Sequence, residues 1–152
     1  MATTARPISV LLVDDDPGDV LMIEEALEST GCPRTVFVVR DGQEAISFLR
    51  QTGQFATAPR PDVVLLDLNM PRMDGRQVLA EVKADMLLRS IPIVVLTTSQ
   101  SPADISSSYS LHANAYVTKP LNLDDLTEVV HKIDYFFARI AALPDQRPTV
   151  GI

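Results

Sequence analysis

The fold of this chain is decided by the stretch Val63-Val64-Leu65-Leu66-Asp67-Leu68-Asn69-Met70-Pro71. It opens with four consecutive aliphatic residues, two of them β-branched, and such a run is typical of a buried strand in a parallel sheet. The strand ends in a carboxylate, Asp67. A charge at the tip of a buried apolar strand is costly unless it is used there, so Asp67 is the first candidate for a functional residue.

Four further apolar runs predict strands over residues 8–13, 36–39, 91–96 and 115–118. Each of the five strands is followed by a segment with apolar residues at helical spacing. The third of these helices is expected to bury Val78, Leu79, Val82 and Met86, and a loop without periodicity covers 51–61. Alternation of five strands and five helices predicts an α/β domain with a parallel sheet covered on both faces.

Composition excludes several classes of protein. The chain has 152 residues and a formal net charge of −7, which argues against a nucleic-acid or anionic membrane surface. Its apolar runs are too short to cross a bilayer, and its single cysteine, Cys32, excludes an internal disulfide and suits the cytoplasm. We expect a disordered lead over 1–7, one domain over 8–143 and a flexible tail over 144–152.

Polar residues follow the predicted strands at the points where the strands end. Asp14 and Asp15 follow the first strand, Asp67 the third, Thr97 the fourth and Lys119 the fifth. In a parallel sheet these ends share one edge, where ligands bind. Crowded carboxylates raise one another's pKa unless a cation lies among them, and an all-oxygen ligand set favours Mg²⁺. A metal, an ammonium and a hydroxyl together can compensate the charge of a phosphoryl group, with Asp67 as its acceptor.

Together these residues resemble the receiver domain of two-component response regulators. The match runs from about residue 8 to residue 140 and is carried by Val13-Asp14-Asp15, by Asp67 to Pro71 with Met73-Asp74-Gly75, by Thr97, and by Tyr116 ahead of Lys119-Pro120. The resemblance implies a flavodoxin-like fold of a single domain with strand order 2-1-3-4-5. It also implies a signalling protein that catalyses only its own phosphorylation and dephosphorylation, with a histidine kinase as its partner.

The resemblance further implies how the acceptor and the metal are held. Asp67 would take a phosphoryl group from a phosphohistidine of the kinase. Asp15 and Asp67, with the backbone carbonyl of Asn69, would hold Mg²⁺, and Asp14 would act through a metal-bound water. Three aspartates run together here, and we assign the metal pair to Asp14 and Asp15 because Asp16, ahead of a proline, has the form of a helix N-cap.

The implied switch involves four residues. Lys119 would contact a phosphoryl oxygen, and its bond to Pro120 would be cis. Thr97 would move onto the phosphoryl group, which would let Tyr116 turn inward and reshape the surface of the fourth helix and the fifth strand.

The last helix carries more aromatic surface than one buried face requires. Its residues Tyr135, Phe136 and Phe137 are consecutive, and we expect Phe137 to pack inward with Ile133 and Ile140. The other aromatic residues either cover the edge of the sheet or form an exposed patch for a partner. We expect a homodimer through this helix and the fifth strand, with Tyr135, Phe136 and Phe137 as the candidate interface residues. With the 51–61 loop and the lack of an output domain, this helix resembles that of stand-alone receivers paired with bacterial phytochrome histidine kinases.

Three other functions compete with this prediction. The site resembles that of a metal-dependent phosphatase that forms an aspartyl-phosphate. However, Asn69 stands where such enzymes have a general acid/base, and an amide cannot exchange a proton at neutral pH. A flavin mononucleotide binder would need a loop rich in hydroxyls and glycines after the first strand, where carboxylates lie instead. An interaction module that is never phosphorylated is the third, and the complete set of acceptor residues argues against it.

Overall fold

The computed structural model describes residues 7–31 and 34–144. They form a five-stranded parallel sheet in the order 2-1-3-4-5, which confirms the predicted flavodoxin-like fold. The strands are β1 (Ile8–Val13), β2 (Arg34–Val39), β3 (Val63–Leu66), β4 (Ile93–Thr97) and β5 (Ala115–Thr118). Cys32, most of the predicted lead and most of the predicted tail lie outside the described residues.

Five α-helices connect and follow the strands. They are α1 (Pro17–Glu28), α2 (Gly42–Arg50), α3 (Gly75–Ala84), α4 (Pro102–Ser110) and α5 (Leu123–Tyr135), with a 3₁₀ turn at Gly53–Phe55 and a π-helical turn at Phe136–Ile140. A polar side chain caps the first turn of each by accepting backbone N–H groups: Asp16, Asp41, Asp74, Ser101 and Asn122. Four of the five helices begin within five residues of the end of the preceding strand, whereas α3 follows a longer loop over 67–74. The first turns of those four helices therefore lie close to the same edge of the sheet.

The core consists of two layers separated by the sheet. Alternate residues of each central strand point to opposite faces: Val64 and Leu66 pack with α2 and α3, whereas Val63 and Leu65 pack with α1 and α5. All four β3 residues are buried, as expected for the central strand of a parallel sheet. The apolar run Val63–Leu66 is thus at the centre of the core, and its last residue leads directly into the polar edge.

Two predictions of burial were wrong. Met86 lies beyond the end of α3 and is 78% exposed, because the helix ends at Ala84 and Leu88 fills the core in its place. Ile140 is 65% exposed, whereas Ala138 is buried. The π-helical turn adds residues per turn, so the side chains after Tyr135 rotate away from the positions that α-helical spacing predicts.

The expected cis bond before Pro120 is also absent, since every peptide bond in the described ranges is trans. Trans is the lower-energy isomer of an X–Pro bond. None of the described helices is long and apolar enough to cross a membrane.

Candidate functional site

The residues at the strand ends are held in place by continuation of the sheet's own hydrogen bonding. The N–H of Asp14 donates to the carbonyl of Val39 at 3.1 Å, and the N–H of Asp67 donates to the carbonyl of Val13 at 2.9 Å. The N–H of Lys119 donates to the carbonyl of Thr97 at 2.7 Å. The main chain of each candidate residue is thus fixed by a neighbouring strand, and the side chains project from one edge, which we call the carboxyl edge.

Three carboxylates converge at the carboxyl edge. One oxygen each from Asp14, Asp15 and Asp67 lies within 4.8 Å of the others, close enough to share one cation. Asp14 is buried, Asp67 half-buried and Asp15 exposed, so the cluster is open to solvent on one side. Hard oxygen ligands with one open side fit Mg²⁺, which keeps several of its water molecules.

Asp16 does not take part in this cluster. Its side chain accepts the N–H groups of Gly18 at 2.9 Å and Asp19 at 3.2 Å, as the N-cap of α1. Its own N–H donates to the Asp14 carboxylate at 2.9 Å, which orients the buried member of the pair. The structure thus places Asp14 and Asp15 beside Asp67, as the sequence assignment requires.

Lys119 is buried in the middle of these acids. Its Nζ lies 2.6 Å from Asp14 Oδ2, 3.0 Å from Asp19 Oδ2 and 3.4 Å from Asp67 Oδ2, and its side chain is 3% exposed. Burial by itself would lower the pKa of Lys119, but the hydrogen bond to Asp14 and the charge of Asp67 outweigh it and raise that pKa above its ordinary value. Lys119 therefore stays charged at every physiological pH.

Burial also acts on the pKa of Asp14, and for a carboxyl group it raises that pKa. Desolvation raises its pKa above 3.8, although the hydrogen bond from Lys119 pulls the pKa down. The negative charge of Asp67 adds to the increase. The charged carboxylate of Asp14 is therefore held here at a cost in folding free energy.

Thr97 and Tyr116 lie on the neighbouring strands. Thr97 is fully buried at the end of β4, and among the described residues its hydroxyl has no hydrogen-bond partner. Tyr116 packs against the core, and its hydroxyl donates to the carbonyl of Ser99 at 2.8 Å. Tyr116 is therefore turned inward and joins β5 to the loop that follows β4.

The segment after Asp67 is shaped by a close approach of backbone to backbone. The N–H of Gly75, at the start of α3, donates to the carbonyl of Leu68 at 2.8 Å. A Cβ at position 75 would lie 2.3 Å from the carbonyl oxygen of Asp67, so only glycine fits. Asn69 is exposed, two residues beyond Asp67, in the loop that this contact closes.

Two groups of polar residues at this edge escaped the sequence analysis. Asp19, in the first turn of α1, contacts Lys119. Its place in the first turn after the Asp16 cap could have indicated from the sequence that it lies near the strand ends. Asp104, in the first turn of α4, accepts a hydrogen bond from the Ser99 hydroxyl and pairs with Arg76 of α3. Nothing in the local sequence indicates that Asp104 contacts Ser99 and Arg76.

The aromatic residues of the last helix lie at the opposite end of the molecule from the carboxylates. Tyr135 and Phe136 are 54% and 44% exposed, whereas Phe137 is partly buried against the core. Phe136 and Phe137 line a largely apolar groove of about 520 Å³ that runs beside the edge strand β5 and includes Val117. This groove and the carboxyl edge are separate features.

Comparison with known proteins places these features in one family. Residues 10–131 match the family model described as the response regulator receiver domain. Response regulator Rcp1 of Synechocystis sp. is 44% identical over 138 residues, which cover 91% of this chain and 94% of Rcp1.

Solved structures agree with that match. The phosphorylated cyanobacterial phytochrome response regulator RcpA superposes with a TM-score of 0.89 at 48% identity, covering 92% of this chain and all of RcpA (100%). The Mn²⁺-bound form of Rcp1 superposes with a TM-score of 0.87 at 43% identity, covering 91% of this chain and 100% of Rcp1.

Proposed function

The chain belongs to the response regulator receiver family, and from that premise we propose that Asp67 accepts a phosphoryl group from a phosphohistidine of a histidine kinase. A receiver-domain response regulator is a signalling protein, and phosphorylation with Mg²⁺ fits the family. One observation carries the assignment to Asp67: its carboxylate lies 3.4 Å from a buried ammonium, beside the Asp14 and Asp15 carboxylates. That set of groups matches what a transferring phosphoryl group needs.

The transfer is an in-line displacement at phosphorus. A carboxylate oxygen of Asp67 forms a bond to the phosphorus as the bond from phosphorus to the histidine nitrogen breaks, and that nitrogen keeps the electron pair. Asp15, Asp67 and the Asn69 carbonyl would hold Mg²⁺, Asp14 would act through a water, and the ion would supply positive charge against the phosphoryl group. Lys119 turns from Asp67 to a phosphoryl oxygen and pairs with the charge that the new phosphate brings.

The readout is proposed to pass through Thr97. Its buried hydroxyl has no hydrogen-bond partner in the part of the chain that the structure describes, so it can donate to a phosphoryl oxygen, which supports the role. A shift of Thr97 moves the β4–α4 loop, to which Tyr116 is bonded through Ser99. The surface formed by α4 and β5 changes as a result, and this is the surface that a downstream protein reads.

Asn69 sets the fate of the phosphoryl group. A phosphatase would need a general acid/base near this position, and the amide of Asn69 does not supply one. We therefore propose that the protein stores the phosphoryl group rather than turning over phosphate esters, and that its only catalysis is of its own phosphorylation and dephosphorylation. Rapid steady-state hydrolysis of small phosphate esters by the wild type would contradict this.

We propose a phytochrome-type histidine kinase as the partner, acting in the cytoplasm. The support is the similarity to RcpA, which is described as a cyanobacterial phytochrome response regulator, over nearly the whole of both chains. The test is transfer of labelled phosphate from an autophosphorylated bacterial phytochrome kinase. We expect labelling of the wild type and of the surface control Asp125→Asn, and none of Asp67→Asn; labelling of Asp67→Asn would contradict the assignment.

We also propose that the receiver domain, over 8–143, forms a homodimer through the end of its last helix. The exposed rings of Tyr135 and Phe136, beside the apolar groove next to β5, support this. Sedimentation velocity at micromolar concentration should show a dimer for the wild type and a monomer for Phe136→Ser. A monomeric wild type, with and without phosphorylation, would contradict the proposal.

A further inference from the structure

Ser99, in the loop between β4 and α4, contacts two other elements of the protein. The Ser99 hydroxyl donates to Asp104 Oδ2 at 2.6 Å, and the Ser99 carbonyl accepts the hydroxyl of Tyr116 at 2.8 Å. One contact comes from α4 and the other from β5. Ser99 follows Thr97 by two residues, so both contacts hold the segment that carries the Thr97 hydroxyl.

The carboxylate that holds Ser99 is itself held from a third element. Arg76 of α3 pairs with Asp104 through its Nη2, and its Nη1 lies 3.8 Å from the Asp74 carboxylate that caps α3. The side chains of Arg76 and Asp104 are 31% and 23% exposed, so the pair is partly shielded from water. The hydrogen bond from Ser99 and the pairing with Arg76 hold the pKa of Asp104 below its ordinary value, so Asp104 remains an acceptor at neutral pH.

We propose that Arg76 and Asp104 are positioning residues for phosphorylation: acting through the Ser99 hydroxyl, they fix the loop that carries Thr97 and contacts Tyr116. This inference rests on the proposed function of Asp67 and adds residues from α3 and α4 to it. A loop already held in place does not have to be ordered during phosphoryl transfer. In a variant that lacks the contact to Ser99, the loop has to be ordered during phosphoryl transfer, so phosphorylation of Asp67 is slower.

A purely structural role for Asp104 makes a different prediction. Asp104 lies in the first turn of α4, where its charge stabilises the helix whatever Ser99 does. A double-mutant cycle separates the two roles. Under the positioning role, Asp104→Asn has no further effect on the reaction once Ser99→Ala has removed the hydroxyl, whereas under the structural role the two effects multiply.

The first experiment measures the rate constant of phosphorylation by acetyl phosphate at saturating Mg²⁺. We expect Asp104→Asn and Ser99→Ala each to lower it by about threefold or more, and the double variant to equal the single variants. Arg76→Gln should behave as Asp104→Asn does, and Arg76→Lys should recover most of the rate. The control Arg50→Gln, which breaks an ion pair with Glu81 between α2 and α3, should leave the rate unchanged.

The second experiment follows Tyr116 in the folded protein, independently of phosphorylation. The chain has three tyrosines and no tryptophan, so ¹⁹F NMR after fluorotyrosine incorporation gives few resonances, and Tyr116→Phe identifies that of Tyr116. We expect Asp104→Asn to shift or broaden the Tyr116 resonance and Arg50→Gln to leave it in place.

The outcomes separate the two proposals. If the wild type takes no phosphate, the function proposed for Asp67 fails, and the positioning pair is judged on the Tyr116 resonance alone: a change supports it, and an unchanged resonance overturns it. If the wild type is phosphorylated, equal rates in wild type and Asp104→Asn overturn the positioning role. Multiplied effects in the double variant also overturn it.

Discussion

Two buried cations lie at opposite edges of the sheet and have different surroundings. At the edge where the strands have their amino ends, Arg34 begins β2 and pairs with Asp134 of α5. The two side chains are 3% and 2% exposed. At the carboxyl edge, Lys119 is equally buried but contacts Asp14, Asp19 and Asp67. The contact between Arg34 and Asp134 brings one carboxylate to one cation. Around Lys119, three carboxylates face one cation, so negative charge is in excess there.

The difference separates a structural contact from a functional one. A buried ion pair is costly to break because the surviving charge has no compensation. A buried excess of carboxylates is costly to keep, and it persists where a further cation or an incoming group relieves it. The protein thus keeps a stabilising charge pair at one edge and a reactive, electrostatically strained site at the other.

The largest expected effect is on the stabilising pair. Asp134→Asn removes the carboxylate charge that faces the buried Arg34 guanidinium, and we expect the free energy of unfolding to fall by about 3–5 kcal/mol. Urea denaturation followed by circular dichroism measures this. Glu128→Gln, which removes an exposed i,i+4 pair with Lys132 on the same helix, should cost at most about 0.5 kcal/mol. Equal losses in the two variants would remove the distinction between these pairs.

Magnesium should relieve the strain at the other edge. At a Mg²⁺ concentration 100 times its Kd, binding to the folded protein adds about 2.7 kcal/mol to the free energy of unfolding. Thermal unfolding in Mg²⁺ and in a chelator measures the gain, which we expect to be much smaller in Asp15→Asn and unchanged in Asp134→Asn at matched stability. A melting temperature of the wild type that does not respond to Mg²⁺ would contradict the metal assignment.

A smaller effect, of opposite sign to that of Asp134→Asn, is expected at Asp14. Because its pKa is raised in the folded protein, the stability linked to Asp14 is present below the unfolded-state pKa and is lost as the pH rises through the folded-state pKa. At neutral pH the charged carboxylate therefore lowers stability. Asp14→Asn should not destabilise the metal-free protein at pH 7, although it weakens Mg²⁺ binding. A loss as large as that of Asp134→Asn would refute the charge-excess account.

The smallest effect is expected at Asp19. It is the most exposed of the three Lys119 partners and competes with the phosphoryl group for the ammonium. Asp19→Asn should therefore speed phosphorylation by acetyl phosphate at saturating Mg²⁺ by about twofold to fivefold. Stopped-flow or quenched-flow kinetics measures the rate, with Asp124→Asn as the surface control. Slower phosphorylation of Asp19→Asn would show that Asp19 assists the site instead.

The sequence allowed the fold and most of the candidate site to be predicted because the relevant signals are local. A fully apolar run predicted the central strand, and parallel strands necessarily bring Asp14, Asp67 and Lys119 to one edge. The Asp16 cap also separated the metal pair from the third aspartate, since an N-cap before proline has a local signature.

The remaining features depend on contacts that only the folded chain creates. Arg34 and Asp134 are far apart in sequence, and their pairing follows from how α5 lies across the sheet. The bonds of Asp104 to Ser99 and Arg76 likewise join separate elements. The exposure of Ile140 follows from a π-helical turn, a change in hydrogen bonding that apolar periodicity does not reveal.

The central claim is that Asp67 is the phosphoryl acceptor, and intact mass spectrometry after incubation with acetyl phosphate and Mg²⁺ tests it most directly. We predict that the wild type gains the mass of one phosphoryl group, located on Asp67 by peptide mapping, and that Asp67→Asn gains none. A wild type of unchanged mass, or the same gain in Asp67→Asn, would contradict the account.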